Sequence, residues 1–189
     1  VAQKRKDWNG LISGFKASDL VFLDESGCNT DMTRRYADSL GGSRAVDSAP
    51  LSKPKNTTIL SSIQLDGTLR YTTFSGGTTV ERFKRYLETD LLPHLNGNSV
   101  LIMDNMKSHH ARAVRNLLDS SEVRCIYLPP YSPDLNPIEK LWSKVKSFLR
   151  KFKARTLDAL LNAIQCAFQT VSPSDCSGWF HSCGHSPYF

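Results

Sequence analysis

Val100-Leu-Ile-Met-Asp-Asn105 and Leu128-Pro-Pro-Tyr-Ser-Pro-Asp-Leu-Asn-Pro-Ile-Glu-Lys-Leu-Trp142 decide how this chain is read. The first is a short apolar run of the kind that forms a strand buried on both faces, and it stops at a carboxylate, Asp104. The second closes on Asn136-Pro137-Ile138-Glu139, which reads as a helix start: Asn as cap, Pro at the first helical position, Glu in the first turn. Between Asp104 and Glu139 lie 34 residues, room for a crossover helix and a return strand. Ser108 to Leu118 supplies the helix, with Val114, Leu117 and Leu118 at helical spacing, and Val123 to Leu128 supplies the strand. A strand, helix and parallel strand bring both carboxylates to one end of one sheet.

Working outward, Leu20-Val-Phe-Leu23 is a second buried-strand signal that also ends in an acid, Asp24. Residues 1–19 are polar and basic and read as a linker or arm, and residues 26–55 as a long irregular excursion. Asn56 to Leu65 and Leu69 to Phe74 are rich in Thr, Ile and aromatic residues around Asp66-Gly67, a hairpin signal. Thr78-x-x-Glu81 is a capping box opening a helix with Val80, Phe83, Leu87 and Leu91 inward. The Glu139 helix buries Ile138, Leu141, Trp142, Val145 and Leu149, and Thr156 caps a last helix with Leu157, Leu160, Leu161, Ile164, Phe168 and Val171 inward. Residues 173–189 form a tail that docks on the core through Trp179 and Phe180. The order gives an α/β fold over residues 20–172, a mixed sheet of an antiparallel hairpin plus parallel strands, flanked by helices. Adjacent and parallel, the two acid-ended strands set Asp24 beside Asp104, within reach of Glu139.

The composition agrees with one domain that has a real core, at 189 residues and 40% hydrophobic. A net charge of +6 favours a polyanionic partner. Five cysteines, an odd number without a CxxC pair, point to a reducing compartment, and no apolar run reaches the length of a membrane span or signal peptide. The expected setting is intracellular: cytoplasmic and, in a bacterium, associated with the nucleoid.

Three converging carboxylates repel one another unless a cation neutralises them, so Asp24, Asp104 and Glu139 imply a divalent metal. Oxygen ligands favour Mg²⁺, with Mn²⁺ as a substitute, and two ions about 3.5 to 4 Å apart serve phosphoryl transfer, activating the attacking oxygen and stabilising the leaving one. Phe22-Leu-Asp-Glu-Ser26, Met103-Asp-Asn105 and the long Leu128–Trp142 block resemble the three catalytic blocks of Asp-Asp-Glu transposases of the Tc/mariner superfamily, in particular its bacterial insertion-sequence branch. The resemblance runs from about Lys4 to Cys183-Gly184 and includes the 34-residue gap. It implies an RNase H-like fold, a triad of Asp24, Asp104 and Glu139, and magnesium-dependent cutting of DNA at transposon ends with joining of the freed 3′ ends to target DNA. It also implies a homodimer on DNA. The family's helix-turn-helix recognition modules are not visible here. The other readings left open are an RNase H-like nuclease or resolvase that cuts without joining, and an inactive remnant that binds DNA or a partner.

Secondary candidates surround the triad. Lys146 and Arg150 follow Glu139 by seven and eleven residues, on nearly one helical face, and suit a DNA backbone leading into the site; Arg34 and Arg35 are further DNA-binding candidates. Asn105 and His110 are possible auxiliaries, with His110 on the inward face of its helix and His109 outward. Two acids are set aside. Glu25 points away from Asp24 in an extended strand, and Asp134 follows Pro133 where a turn wants an Asx side chain.

Overall fold

The computed structural model describes residues 2–34, 36–48, 50–51 and 54–185. Its spine is β1 (Leu20–Cys28), which pairs antiparallel with β2 (Thr57–Gln64) on one side and parallel with β4 (Val100–Met103) on the other. β2 turns through Asp66-Gly67 into β3 (Leu69–Ser75), and β4 runs parallel to β5 (Arg124–Tyr127), giving the order β3-β2-β1-β4-β5. Gly67 adopts φ +91°, and a Cβ there would lie 2.9 Å from Pro173 Cα, so this turn needs glycine both for its conformation and for a neighbouring helix start.

Alternation along the strands divides the core in two. Leu20, Phe22, Ile59, Ile63, Val100 and Ile102 face a layer built from α1 (Ala2–Ile12), α4 (Ile138–Phe152), α5 (Leu157–Gln169) and α6 (Pro173–Ser182). Val21, Leu23, Leu60, Leu101 and Met103 face α2 (Val80–Tyr86), its continuation through Leu91, and α3 (Arg112–Ser120). Each of these fully buried aliphatic or aromatic side chains contributes roughly 1.5 to 3 kcal/mol relative to exposure, so the two faces hold the sheet between them. Among the described residues no helix is long and apolar enough to cross a membrane.

The mixed sheet with an antiparallel hairpin and parallel strands matches the sequence reading, and several details differ. β1 does not stop at Leu23; it continues to Cys28 because its second half stays paired with β2, from Asp24 opposite Ser61 to Cys28 opposite Thr57. Gly27 and Ser26 weaken the strand signal, and a neighbouring strand outweighs them. The basic arm of residues 1–19 contains α1, whose Trp8 and Ile12, one turn apart, are buried in the core. Only two apolar anchors among Lys, Arg and Gln leave little periodic signal. The helix α2 is capped by Thr79, whose side chain accepts from Arg82 N–H, one residue later than the Thr78 capping box predicts. On α5, Leu157 and Leu161 are exposed instead of inward, while Ala163 and Ala167 are buried beside Leu160, Ile164 and Phe168. Small residues let α5 approach closely, which rotates its buried stripe away from the larger leucines. The tail, without periodicity in sequence, forms α6, opened by a full capping box between Ser172 and Asp175 and anchored by Phe180 edge-on to Phe22 at 5.3 Å.

Candidate active site

The parallel register pairs Leu23 with Met103, so Asp24 and Asp104 follow side by side on neighbouring strands. Both have the parity of Phe22 and Ile102, hence the α4 face. The segment after β5 crosses that end of the sheet as Leu128-Pro-Pro-Tyr-Ser, makes a short turn of 3₁₀ helix at Pro133–Leu135, and enters α4. Asn136 does not cap α4 with its side chain: its carbonyl accepts from Glu139 N–H, while its buried Oδ1 has no partner, and the regular helix begins after Pro137. Glu139 is thereby held in the first turn, exposed on the cleft side.

Asp24, Asp104 and Glu139 line one cleft of about 420 Å³ together with Asn105, Ser132, Asn136 and the Leu128–Tyr131 segment. Among the described residues no lysine or arginine lines it. The electrostatics follow from that imbalance. Burial pushes the Asp24 carboxyl up to about 7, and the negative charges of Glu139 and Asp104 add to the rise, against hydrogen bonds from Glu25 N–H at 2.8 Å and Trp142 Nε1–H at 3.2 Å. Among the described residues the three acids do not close into a tight metal cage. They form an oxygen-rich cleft that lacks positive charge in front, a donor set suited to a hard divalent cation.

Asp104 is gripped from behind. Its Oδ1 accepts from Met106 N–H at 3.0 Å and lies 2.9 Å from Nδ1 of His109, a side chain wholly excluded from solvent. Burial opposes a charge on His109, but Asp104 and Glu25 outweigh it and raise its pKa to about 9; burial likewise disfavours the Asp104 anion, and His109 with Met106 N–H holds that carboxyl below its ordinary value. This reverses the helical phase read for the two histidines. Residues 107–110 form a turn, with His109 N–H on Met106 O and His110 N–H on Lys107 O, and α3 starts only at Arg112. A 3.6-residue phase carried back through a turn assigns the wrong histidine to the interior. His110 instead packs against Tyr127 with its ring tilted 31°, at 4.2 Å between ring centroids, and meets Asn105 Oδ1 through Nε2 at 3.3 Å. Asn105 donates from Nδ2 to Leu128 O at 2.6 Å, tying the end of β4 to the segment leaving β5.

The other candidates lie outside this cleft. Lys146 and Arg150 share one face of α4 and line a separate polar depression with Gly27, Cys28, Asn29 and Asn56, past the far end of β1; among the described residues neither is in an ion pair. Arg34 is exposed in the long excursion, and Arg35 lies outside the described residues. Glu25 points to the opposite layer from Asp24, and Asp134 is paired with Arg5 of α1. Two neighbours of the acids escaped the sequence reading. Trp142 passes there as core, although its place three residues after Glu139 puts its indole donor on the same side of α4. His109 is visible in sequence only as one of two adjacent histidines after an acid-ended strand.

Comparison with known proteins adds to this geometry. Residues 19–161 match the family described as DDE superfamily endonuclease. Over 97 residues, 49% of the chain, the sequence is 29% identical to the Transposable element Tc1 transposase of Caenorhabditis elegans, and the match covers 36% of that protein. Over 75 residues, 39% of the chain, it is 33% identical to the Insertion element IS630 uncharacterized 39 kDa protein of Shigella sonnei, covering 22% of it. In structure the chain is similar to a pre-cleavage Mos1 transpososome, with a TM-score of 0.82 at 19% identity, and to the Mos1 mariner paired end complex with Mn, with a TM-score of 0.80 at 20% identity. Each superposition covers 95% of this chain and 58% of the Mos1 chain. The shared architecture is the RNase H-like fold, and the chain matches well under two thirds of the length of each of these relatives.

Proposed function

The chain belongs to the DDE superfamily endonuclease family, and from that premise we propose that it is the catalytic domain of a Tc/mariner-type transposase. It cleaves DNA at transposon ends and transfers the freed 3′ hydroxyl ends to target DNA. The observation that carries this reading is the single cleft in which Asp24 and Asp104, on adjacent parallel strands, meet Glu139 from the first turn of α4.

Asp24, Asp104 and Glu139 are the residues that would hold Mg²⁺, or Mn²⁺ in its place. When bound, such ions supply activation of the attacking oxygen and stabilisation of the leaving oxygen. The chain's own groups do the rest. Trp142 Nε1–H and Glu25 N–H each hold one oxygen of the Asp24 carboxylate, and Met106 N–H holds Asp104. The Leu128–Ser132 segment walls the cleft and carries Tyr131 in full exposure at its mouth, where a base or sugar of the bound strand can rest on the ring. Lys146, Arg150, Arg34 and Arg35 contact the DNA backbone, while Asn105 with His110 braces the loop beside Asp104. The solved Mos1 complexes include one with Mn and one with Mg, in keeping with this choice of ion. Their paired-end assemblies support a homodimer that holds two transposon ends.

Incubating the protein with supercoiled plasmid, and separately with a labelled duplex ending in a free 3′ hydroxyl plus target plasmid, tests both activities in Mg²⁺ or Mn²⁺. Nicked plasmid and joined product are expected with the wild type, and neither with Asp104→Ala. Nicking without joining identifies a nuclease, and full activity in Asp104→Ala defeats the assignment of the site.

A further inference from the structure

Alternation along β1 sends Asp24 toward α4 and its neighbour Glu25 into the opposite layer. There Glu25 is largely buried, at 13% side-chain exposure, and neither of its carboxylate oxygens has a hydrogen-bond partner. His109 fills the space between Glu25 and Asp104. Its ring is stacked on Phe83 at 4.3 Å between centroids, Nδ1 lies 2.9 Å from Asp104 Oδ1 and 3.2 Å from the Asp104 carbonyl oxygen, and Nε2 faces Glu25 Oε2 at 3.3 Å, off the hydrogen-bond direction. Tyr127 adds a restraint by donating from its hydroxyl to the His109 carbonyl at 3.3 Å. A fully buried polar ring confronting two acids is costly unless its contacts matter, since unpaired buried polar groups weaken a core. His109 does not line the catalytic cleft. Its ring meets the site through Asp104, and its backbone N–H through the Met106 carbonyl.

We propose that His109 and Glu25 form a buried positioning pair: the histidine fixes the Asp104 carboxylate from behind, the glutamate holds the histidine, and together they orient Asp104 to take a divalent cation. The proposal rests on the reading of Asp24, Asp104 and Glu139 as a metal-holding site and adds a supporting layer that the triad alone does not contain. Outer partners of this kind orient first ligands and set how tightly the ion is held. Because Nδ1 is the atom that grips Asp104, the pair makes a positional prediction. An asparagine at 109 can place an amide N–H near the Nδ1 position, whereas a glutamine places it near Nε2.

The test is Mn²⁺ binding to the 189-residue chain, followed by electron paramagnetic resonance, with thermal midpoints recorded for each variant. Relative to wild type, His109→Asn is expected to weaken Mn²⁺ binding by less than about 10-fold, and His109→Gln and His109→Leu by roughly 10- to 100-fold. Glu25→Gln is expected to shift affinity in the same direction by a smaller factor. A histidine that merely fills the core lowers the thermal midpoint without changing Mn²⁺ affinity, and that result overturns the pair. Equal losses for Asn and Gln also overturn it. Should His109→Leu fail to fold, the Asn and Gln variants, which carry the same amide group, still decide. Asp104→Ala separates the two levels of the argument. If Asp104→Ala abolishes binding while the His109 variants leave it unchanged, the pair alone fails. If the wild type binds no Mn²⁺, or Asp104→Ala binds it as well as the wild type, the site reading fails and the pair with it.

Discussion

Trp142 donates its indole Nε1–H to Asp24 Oδ2 at 3.2 Å, joining α4 to β1 across 118 positions of sequence. The contact fixes the helix that carries Glu139 against the strand that carries Asp24. With Glu25 N–H it supplies the hydrogen bonds that lower the pKa of a carboxyl which burial raises to about 7. Replacing Trp142 with Phe keeps most of the apolar ring and removes the donor. The expected result is a folded protein, less stable by roughly 1 to 3 kcal/mol, with metal-dependent DNA cleavage reduced by about 10- to 100-fold. Urea denaturation and plasmid nicking measure the two effects. Unchanged nicking shows that the indole is packing only.

Removing both charges at Lys146 and Arg150 tests whether that face of α4 tracks a DNA backbone. Each phosphate contact contributes about 0.9 to the slope of log affinity against log salt, so the double variant should lower the slope by about 2 and weaken binding to all sequences alike. Fluorescence anisotropy across a salt series reads this directly. An unchanged slope assigns the two side chains to solvent.

The Phe180→Ala variant tests whether α6 belongs to the folding unit. Phe180 is wholly buried and packs edge-on against Phe22 of the central strand. Loss of this ring should cost about 3 to 5 kcal/mol in a single cooperative denaturant transition. A loss below about 1 kcal/mol marks the tail as an appendage.

Acid stability carries a smaller signature at the start of α6. Asp175 accepts from Lys144 Nζ at 2.6 Å and from Ser172 N–H at 2.8 Å, and these contacts lower its pKa to about 2. A carboxyl whose pKa is depressed on folding stabilises the protein fully above its unfolded value and loses that contribution as pH falls through the folded one. The Asp175→Asn variant should therefore be less stable than wild type by about 1 kcal/mol at pH 7, the scale of a cap plus a partly exposed ion pair, and the gap should close between about pH 4 and pH 2. Urea titrations at a series of pH values check the sign. A gap that widens on acidification contradicts it.

Much of this architecture is legible in sequence because it depends on local patterns. Apolar runs that stop at Asp104, the Asp66-Gly67 turn and the helical stripe of α4 each follow from a period or a turn preference acting over a few residues. Legibility fails where tertiary contact overrides a weak local signal. Pairing with β2 extends β1 through Gly27, the α1 anchors Trp8 and Ile12 make sense only against Leu20 and His185, and the turn at residues 107–110 breaks the helical phase and buries His109, which that phase would turn outward.

The sequence by itself determined the local settings of the three acids, since two apolar strand signals ending at acids and one helix start fix them before any contact forms. Only the tertiary structure decided what stands around them. The indole on Asp24, the histidine and glutamate behind Asp104 and the absence of lysine or arginine from the cleft among the described residues arise when segments distant in sequence are pressed together to bury the two faces of one sheet. Long-range packing of that kind leaves no period in the chain to be read.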